Sequence, residues 1–500
     1  MPLKIQKIMG KIKQLASQTF IYGLSSIVGR LLNYLLVPLY TRVFVPSEYG
    51  IITEMYTYVT FLMILLTYGM ETGYFYFSKT QNNPDRVFST AATSLFITSS
   101  VFVTAGLLFS GQIAEILNYQ THENYISLFV IILGLDAFTS IPFARLRQQN
   151  KALKFGIFKL INICVNIGLN LFFILYLPKT GYYDENFGVG YVFLANFLAS
   201  LLTLLLFVPE FFKVKYSFDF ALLKNMLVYS LPLLVSGLAG MINEFFDRVS
   251  IKFFYTVPDS ITDANSYILS ELGIYGANAK IAVLMTLFIQ CFRYSADPFF
   301  FSNKGSADFN DLFAKVNKYL LTFGLFIFLG IMFYLNVIKY FVDSSYWSGL
   351  KVVPFLLIGH LLVGMVYLQS FWYKLNSKTV YGIYIFLIGA VVTIVLNYVF
   401  VPLYGYVACA VANVVCYLIM LIITFLWGKK YLVCDYDFKN MILYTSLAAV
   451  LYFVSCFTKD LELVFQIAIN TLLLMIFAGV VFKREKLGEP LGKLISKFRR

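Results

Sequence analysis

The chain has 500 residues, of which 59% are hydrophobic and only 13% charged, with a mean hydropathy of +0.76 and a formal net charge of +13. Soluble domains carry roughly 25% charged residues, so a soluble globular fold is excluded, and no stretch is long enough to present a basic nucleic-acid-binding face. Apolar runs of about 20 residues recur from end to end, each long enough to cross a bilayer as a helix. They are too long for the alternating, roughly ten-residue strands of a membrane barrel.

The leader carries Lys4, Lys7, Lys11 and Lys13 and spaces Ile5, Ile8, Ile12 and Leu15 by threes and fours. That is the pattern of a basic flank or a short interfacial helix. The first apolar run is long and lacks a small-residue cleavage pattern, so it reads as a membrane segment and not a removable signal. Segments are predicted at 19–40, 51–77, 88–109, 124–143, 155–177, 188–208, 223–247, 268–301, 315–338, 352–373, 379–400, 404–426, 440–457 and 462–482. The expected fold is therefore all-α: a polytopic membrane protein with about 14 transmembrane helices.

Polar residues interrupt these segments at helical spacing. The first places Arg30 near its midpoint with Asn33 one turn on, and the second has Glu54 and Glu71 towards its two ends. Asp136 lies in the fourth. The fifth carries Lys159, Asn162, Asn166 and Asn170 along one face. The seventh ends in Asn243, Glu244, Asp247 and Arg248, where Glu244 and Arg248 are spaced to pair. The eighth has Lys280 near its middle, then Arg293 and Asp297 spaced to pair at its far end. A charge at the bilayer centre costs about 2.5–17 kcal/mol and marks a cavity or a protein interior. Arg30 and Lys280 have no opposite charge three or four residues away in their own helices. Both are expected to face a cavity, where they would attract an anion. The asparagines are equally suited to joining helices by hydrogen bonds.

Orientation follows from the connections. Of the 39 Lys and Arg, 28 fall on the side of the termini, seven on the other side and four within segments. Both termini are thus expected in the cytoplasm, with the basic loops against anionic membrane lipids. The six cysteines and two histidines form no metal-ligand spacing, so no metal site is expected.

The two halves echo each other at an offset near 220 residues. PSEYGIITEMYTYV at 46–59 matches LGIYGANAKIAVL at 272–284, each opening a helix with Tyr-Gly; ETGYFYFSK at 71–79 matches ADPFFFSNK at 296–304. Asn196 and Asn413 correspond within a later pair. This predicts two parallel six-helix lobes, 1–212 and 216–428, an extra helix pair within 438–484 and a basic tail, 485–500. Internal repeats of this kind typify alternating-access transporters, with the substrate between the halves.

The Arg-Leu-Leu-Asn-Tyr core of the first segment, followed by PLYTRVFVPSEYG, resembles the polysaccharide and O-antigen repeat-unit flippases of the multidrug/oligosaccharidyl-lipid/polysaccharide exporter superfamily. The resemblance extends over almost the whole chain. It implies a multi-pass protein of the bacterial inner membrane that carries an undecaprenyl-pyrophosphate-linked glycan to the periplasmic leaflet, beside polymerase and glycosyltransferase partners. It implies a transporter and not an enzyme, with no cofactor beyond coupling to a proton or sodium gradient. Arg30, Asn33, Lys280, Asn166 and Lys159 are the expected substrate-binding residues, and Glu54, Glu71, Asp136, Glu244 and Asp247 the candidates for ion coupling. A cation-coupled multidrug exporter and a non-transport component of glycan assembly are the alternatives. The first usually relies on cavity acids, which the first segment lacks.

Overall fold

The computed structural model describes residues 31–32, 34–81, 83–214, 217–305, 308–458 and 461–485. Among the described residues, 13 helices are long and apolar enough to cross a membrane. They coincide with every predicted segment after the first. Segment 19–40 falls mostly outside the described residues, and Arg30 and Asn33 lie outside them too.

The chain folds as two compact units: the described residues up to Ala277 with Ala390–Tyr406, and Asn278–Gly389 with the described residues from Val407 onward. The first unit contains α1 (Val37–Val43), α2 (Pro46–Thr67), α3 (Met70–Thr80), α4 (Pro84–Leu108), α5 (Glu123–Gln148), α6 (Ala152–Leu171), α7 (Gly190–Phe211) and α8 (Phe220–Phe254). It also takes the start of α9 (Ala264–Asn303). The unit runs past residue 212 because α8 packs on α2, α3 and α4.

Local chemistry sets the helix starts. Pro46 opens α2 at a position where its missing N–H is not needed, and Glu48 accepts the Val45 N–H at 3.0 Å. Asn83 and Asp219 cap α4 and α8 by accepting main-chain N–H groups of Arg86 and Leu222. One apolar crossing, Pro46–Thr80, is broken in the middle. Tyr68 (φ 35°) and Gly69 (φ 69°) are both left-handed, ending α2 and starting α3. The Tyr68 hydroxyl shares a 2.7 Å hydrogen bond with Ser94 of α4.

Two packing features position the rest of the unit. Between α3, α4 and α5, Tyr74, Val87, Phe88, Leu95, Ile141 and Ala144 form a buried apolar cluster. Between α2 and α9 the backbones themselves touch. A Cβ on Gly50 would lie 1.9 Å from the Leu269 carbonyl oxygen, one on Gly273 2.0 Å from that of Pro46, and one on Gly276 2.5 Å from Thr53 Oγ1. The Tyr-Gly pairs of the sequence repeat, Tyr49-Gly50 and Tyr275-Gly276, thus lie in one helix contact with both tyrosines buried.

The second unit continues α9 and adds α10 (Phe309–Phe333), α11 (Val353–Gln369), the first half of α12 (Val380–Tyr404), α13 (Tyr406–Gly428), α14 (Phe438–Cys456) and α15 (Leu463–Arg484). Here α10 is the shared support, packing on α11, α14 and α15. Lys318 of α10 pairs with Asp437 (3.0 Å) before α14 and Glu485 (2.7 Å) after α15, and Tyr444 also donates to Glu485 at 2.6 Å. The Asn440 side chain and Lys318 hold the Asp437 carboxyl below its usual range. At the other end of α10, Asn470 donates to the Phe333 carbonyl at 2.7 Å. The last two helices are thereby tied to the unit at both ends.

Replacing Gly50 or Gly273 by Ala is expected to destabilise the protein by at least about 1–3 kcal/mol, because the obstacle is backbone and cannot rotate away. Gly168→Ala on α6, where a Cβ meets nothing within 4 Å, is the matched control and is expected to hold or slightly raise the melt. Thermal unfolding in detergent checks the pair.

Candidate functional site

Glu54 lies one turn beyond Gly50 on α2 and is almost wholly buried. Its Oε1 accepts the Tyr58 hydroxyl at 2.7 Å, and its Oε2 accepts that of Tyr119 at 2.6 Å, with the Lys252 ammonium 3.3 Å away. Lys252, at the end of α8, also donates to Asn265 Oδ1 at 2.9 Å. Burial and the negative charge of Glu54 hold the Tyr119 hydroxyl well above its ordinary range, so it remains a donor. This carboxylate is fully engaged.

Asp247 is similarly held. It accepts the Tyr275 hydroxyl on one oxygen and Arg248 (2.8 Å) on the other, with the Arg248 guanidinium 5.7 Å from the Tyr275 ring centre. Arg248 therefore pairs with its neighbour Asp247, and reaches Glu244 through that residue's main-chain carbonyl (3.2 Å). Glu244, whose side chain is exposed, also acts electrostatically on Arg248. Glu71, on α3, pairs with Arg147 of α5. Next to it, Arg145 pairs with Asp85 at 2.8 Å, and Lys154 and Lys213 share Glu210. Three of the five candidate coupling acids, Glu54, Glu71 and Asp247, are thus bound to cations.

Asp136 has a different environment. On α5 it is half-buried, hydrogen-bonded to the Ser200 hydroxyl of α7 and within electrostatic reach of Lys159 on α6. Lys159 is exposed, its ammonium 4.2 Å from the Phe143 ring centre. Below it the α6 asparagines divide. Asn162 donates to Thr203 (2.8 Å) and the Ala199 carbonyl (3.1 Å), joining α6 to α7. Asn166 Oδ1 accepts Asn170 at 2.8 Å, and Asn170 in turn accepts the Tyr40 hydroxyl at 2.9 Å. On the same side of the unit Asn196 donates to the Tyr56 hydroxyl at 3.0 Å. Tyr56 is within electrostatic reach of both Tyr40 and Asp136, so Lys159, Asn166 and Asp136 belong to one polar seam spanning α1, α2, α5, α6 and α7.

In the second unit Lys280 is exposed on α9, although α9 is buried on either side of it at Ala279 and Ile281. Tyr58, Tyr119, Lys252 and Asn265 were not selected from the sequence. Lys252 reads there as a loop charge, and nothing singles out two tyrosines among 37. Among the described residues no cluster of three or more His, Cys, Asp or Glu is arranged to hold a metal ion.

A family model described as "Polysaccharide biosynthesis protein" matches residues 15–303, more than half of the chain. The chain belongs to this polysaccharide biosynthesis protein family. No curated protein matches it. Solved structures share its fold. One titled "Lipid II flippase MurJ, inward closed conformation" has a TM-score of 0.72, covering 93% of this chain and 99% of that one at 15% identity. An inward-facing multidrug resistance MATE family transporter of the MOP superfamily has a TM-score of 0.60, covering 80% and 94% at 15% identity. The resemblance read from the first segment is upheld by the family match and by this shared fold. In this polysaccharide biosynthesis protein the polar seam and the engaged acids both lie within the matched region.

Glu54→Gln is expected to cost roughly 3–5 kcal/mol, because it leaves the Lys252 ammonium buried without a counter-charge. Glu71→Gln, in a pair whose members are 39% and 34% exposed, is expected to cost about 1 kcal/mol or less. Thermal melts of the two variants side by side separate the cases, and equal losses would show that the Glu54 pair is no deeper in effect than a surface pair.

Proposed function

We propose that the protein is an alternating-access transporter that flips an undecaprenyl-pyrophosphate-linked oligosaccharide from the cytoplasmic to the periplasmic leaflet for cell-surface polysaccharide such as lipopolysaccharide or capsule. It would work in the bacterial inner membrane with both termini in the cytoplasm, through two parallel six-helix lobes. The observation that carries the reading is the exposure of Lys159 and Lys280 within apolar, membrane-crossing helices of a polysaccharide biosynthesis protein. Exposed ammonium groups at such positions suit a water-filled path for an anion. The fold shared with a lipid flippase over 93% of the chain supports the same direction.

In this reading Arg30 and Lys280 hold the pyrophosphate, Arg30 as a two-pronged fork and Lys280 as a point charge. Lys159, Asn33 and Asn166 supply further contacts to the head group. Coupling to a proton or sodium gradient would pass through Asp136: it is the acid set against a lysine of the seam, whereas Glu54, Glu71 and Asp247 serve as structural ion pairs. Glu244 is left as the exposed alternative. The substrate binds the two states with different affinity, and this difference drives the exchange between them. The shared fold of a multidrug transporter favours cation-coupled drug export as the second reading.

Flux of a labelled lipid-pyrophosphate-oligosaccharide in proteoliposomes tests the proposal. Arg30→Ala and Lys280→Ala are each expected to slow transfer about tenfold or more, the loss of roughly one charge-assisted contact. Equal transfer by both variants and the unmodified chain would overturn the cationic path. Gradient-dependent extrusion of cationic dyes would favour drug export instead.

A further inference from the structure

One end of the second unit gathers cations around a single aromatic ring. Arg293 and Asp297 lie one turn apart on α9, and Lys374 lies in the short helix Phe371–Leu375 that follows α11. Their spacing suited a direct Arg293–Asp297 pair. The structure places Tyr367 of α11 against both. The Arg293 guanidinium is 4.4 Å from the Tyr367 ring centre and the Lys374 ammonium 4.3 Å, and the Tyr367 hydroxyl donates to Asp297 Oδ1. A third cation, Lys304, donates to the Leu375 carbonyl beside Lys374.

Among the described residues, none of these three cations has a carboxylate within 4.0 Å. Asp297 is the acid nearest the ring and acts electrostatically on Lys374. Arg293 and Lys374 share the ring with one carboxylate, so the cluster is net positive. Lys374 is half-buried, its ammonium also 5.2 Å from the Phe371 ring centre, while Arg293 and Asp297 are exposed. Like charges that share a ring repel one another, and the repulsion is strong where water is partly excluded. A bound anion relieves it.

We propose that Arg293 and Lys374 form a phosphate-binding site, with the Tyr367 ring beneath it and Asp297 limiting its affinity. The guanidinium offers a planar fork to two phosphate oxygens and the ammonium a third donor. The carboxylate keeps the net charge low enough for the ligand to leave. Lys280 precedes Arg293 by 13 residues on one helix, about 20 Å along its axis. The cluster is therefore a second station and not part of the Lys280 site. Its natural ligand as a lipid-borne diphosphate rests on the flippase reading; free diphosphate carries the same chemistry.

The test uses the full chain in neutral-lipid nanodiscs. Inorganic diphosphate binding is read by phosphorus NMR line broadening, and polyprenyl diphosphate binding by native mass spectrometry with polyprenol as the phosphate-free control. Arg293→Gln and Lys374→Met are each expected to weaken diphosphate binding about tenfold. Asp297→Asn is expected to tighten it several-fold, a gain that misfolding cannot produce. Retention of polyprenyl diphosphate but not polyprenol, lost in the same two variants, identifies the lipid as a source; loss of inorganic diphosphate binding alone identifies free diphosphate. Unchanged binding in all three variants overturns the site. If Arg30→Gln abolishes binding while Arg293→Gln and Lys374→Met do not, this site is rejected and the transport reading stands.

Discussion

The first unit is registered on a place where two helices meet with nothing but backbone between them. Gly50, Gly273 and Gly276 leave no room for a Cβ, so α2 and α9 can approach only in this register. The charged clusters are set out from that line. Glu54 follows Gly50 by one turn, and the hydroxyl of Tyr275, next to Gly276, reaches Asp247 on α8. A shift of α9 by one residue would remove the Tyr275 hydroxyl from Asp247 and Asn265 from Lys252. Burial of Glu54 and Lys252 is tolerable because they pair with each other and both have hydrogen-bond partners besides.

Charge inside the membrane-crossing helices is sorted into two populations. Acids on α2 and α3 are neutralised by cations from other helices, which binds the unit together, and Asp247 on α8 by its neighbour Arg248. Several cations remain exposed within apolar helices: Lys159 in the first unit, and Lys280 and Arg293 in the second. A cation on such a helix is costly unless it meets water, an opposite charge or the interface.

The helices were legible in the sequence because hydropathy reports directly on the medium around each segment, and thirteen of the predicted crossings recur in the structure. The Tyr-Gly echo was legible as a repeat but not as a contact. Its reason, the absent Cβ, needs the second helix in place. Ion pairs were the least legible part. Spacing suggested Glu244 with Arg248 and Arg293 with Asp297, since partners within a helix are all that spacing can show. Spacing did not show the further partners: Asp247 joins Glu244 at Arg248, and Tyr367 stands at the Arg293–Asp297 pair. Lys252 looked like a topology charge and is instead a buried counter-ion. Asp136 and Lys159 were chosen separately for their polarity, and tertiary packing is what brings them into mutual reach.

The left-handed pair Tyr68–Gly69 alters how one of these crossings behaves as a mechanical part. Hydropathy counts Pro46–Thr80 as a single rod of 35 residues, about 52 Å long. The joint divides it into a longer arm, clamped to α9 by backbone contact, and a shorter arm, clamped to α5 by the Glu71–Arg147 pair. A rod passes rotation from one end to the other, whereas two arms with a pin between them do not.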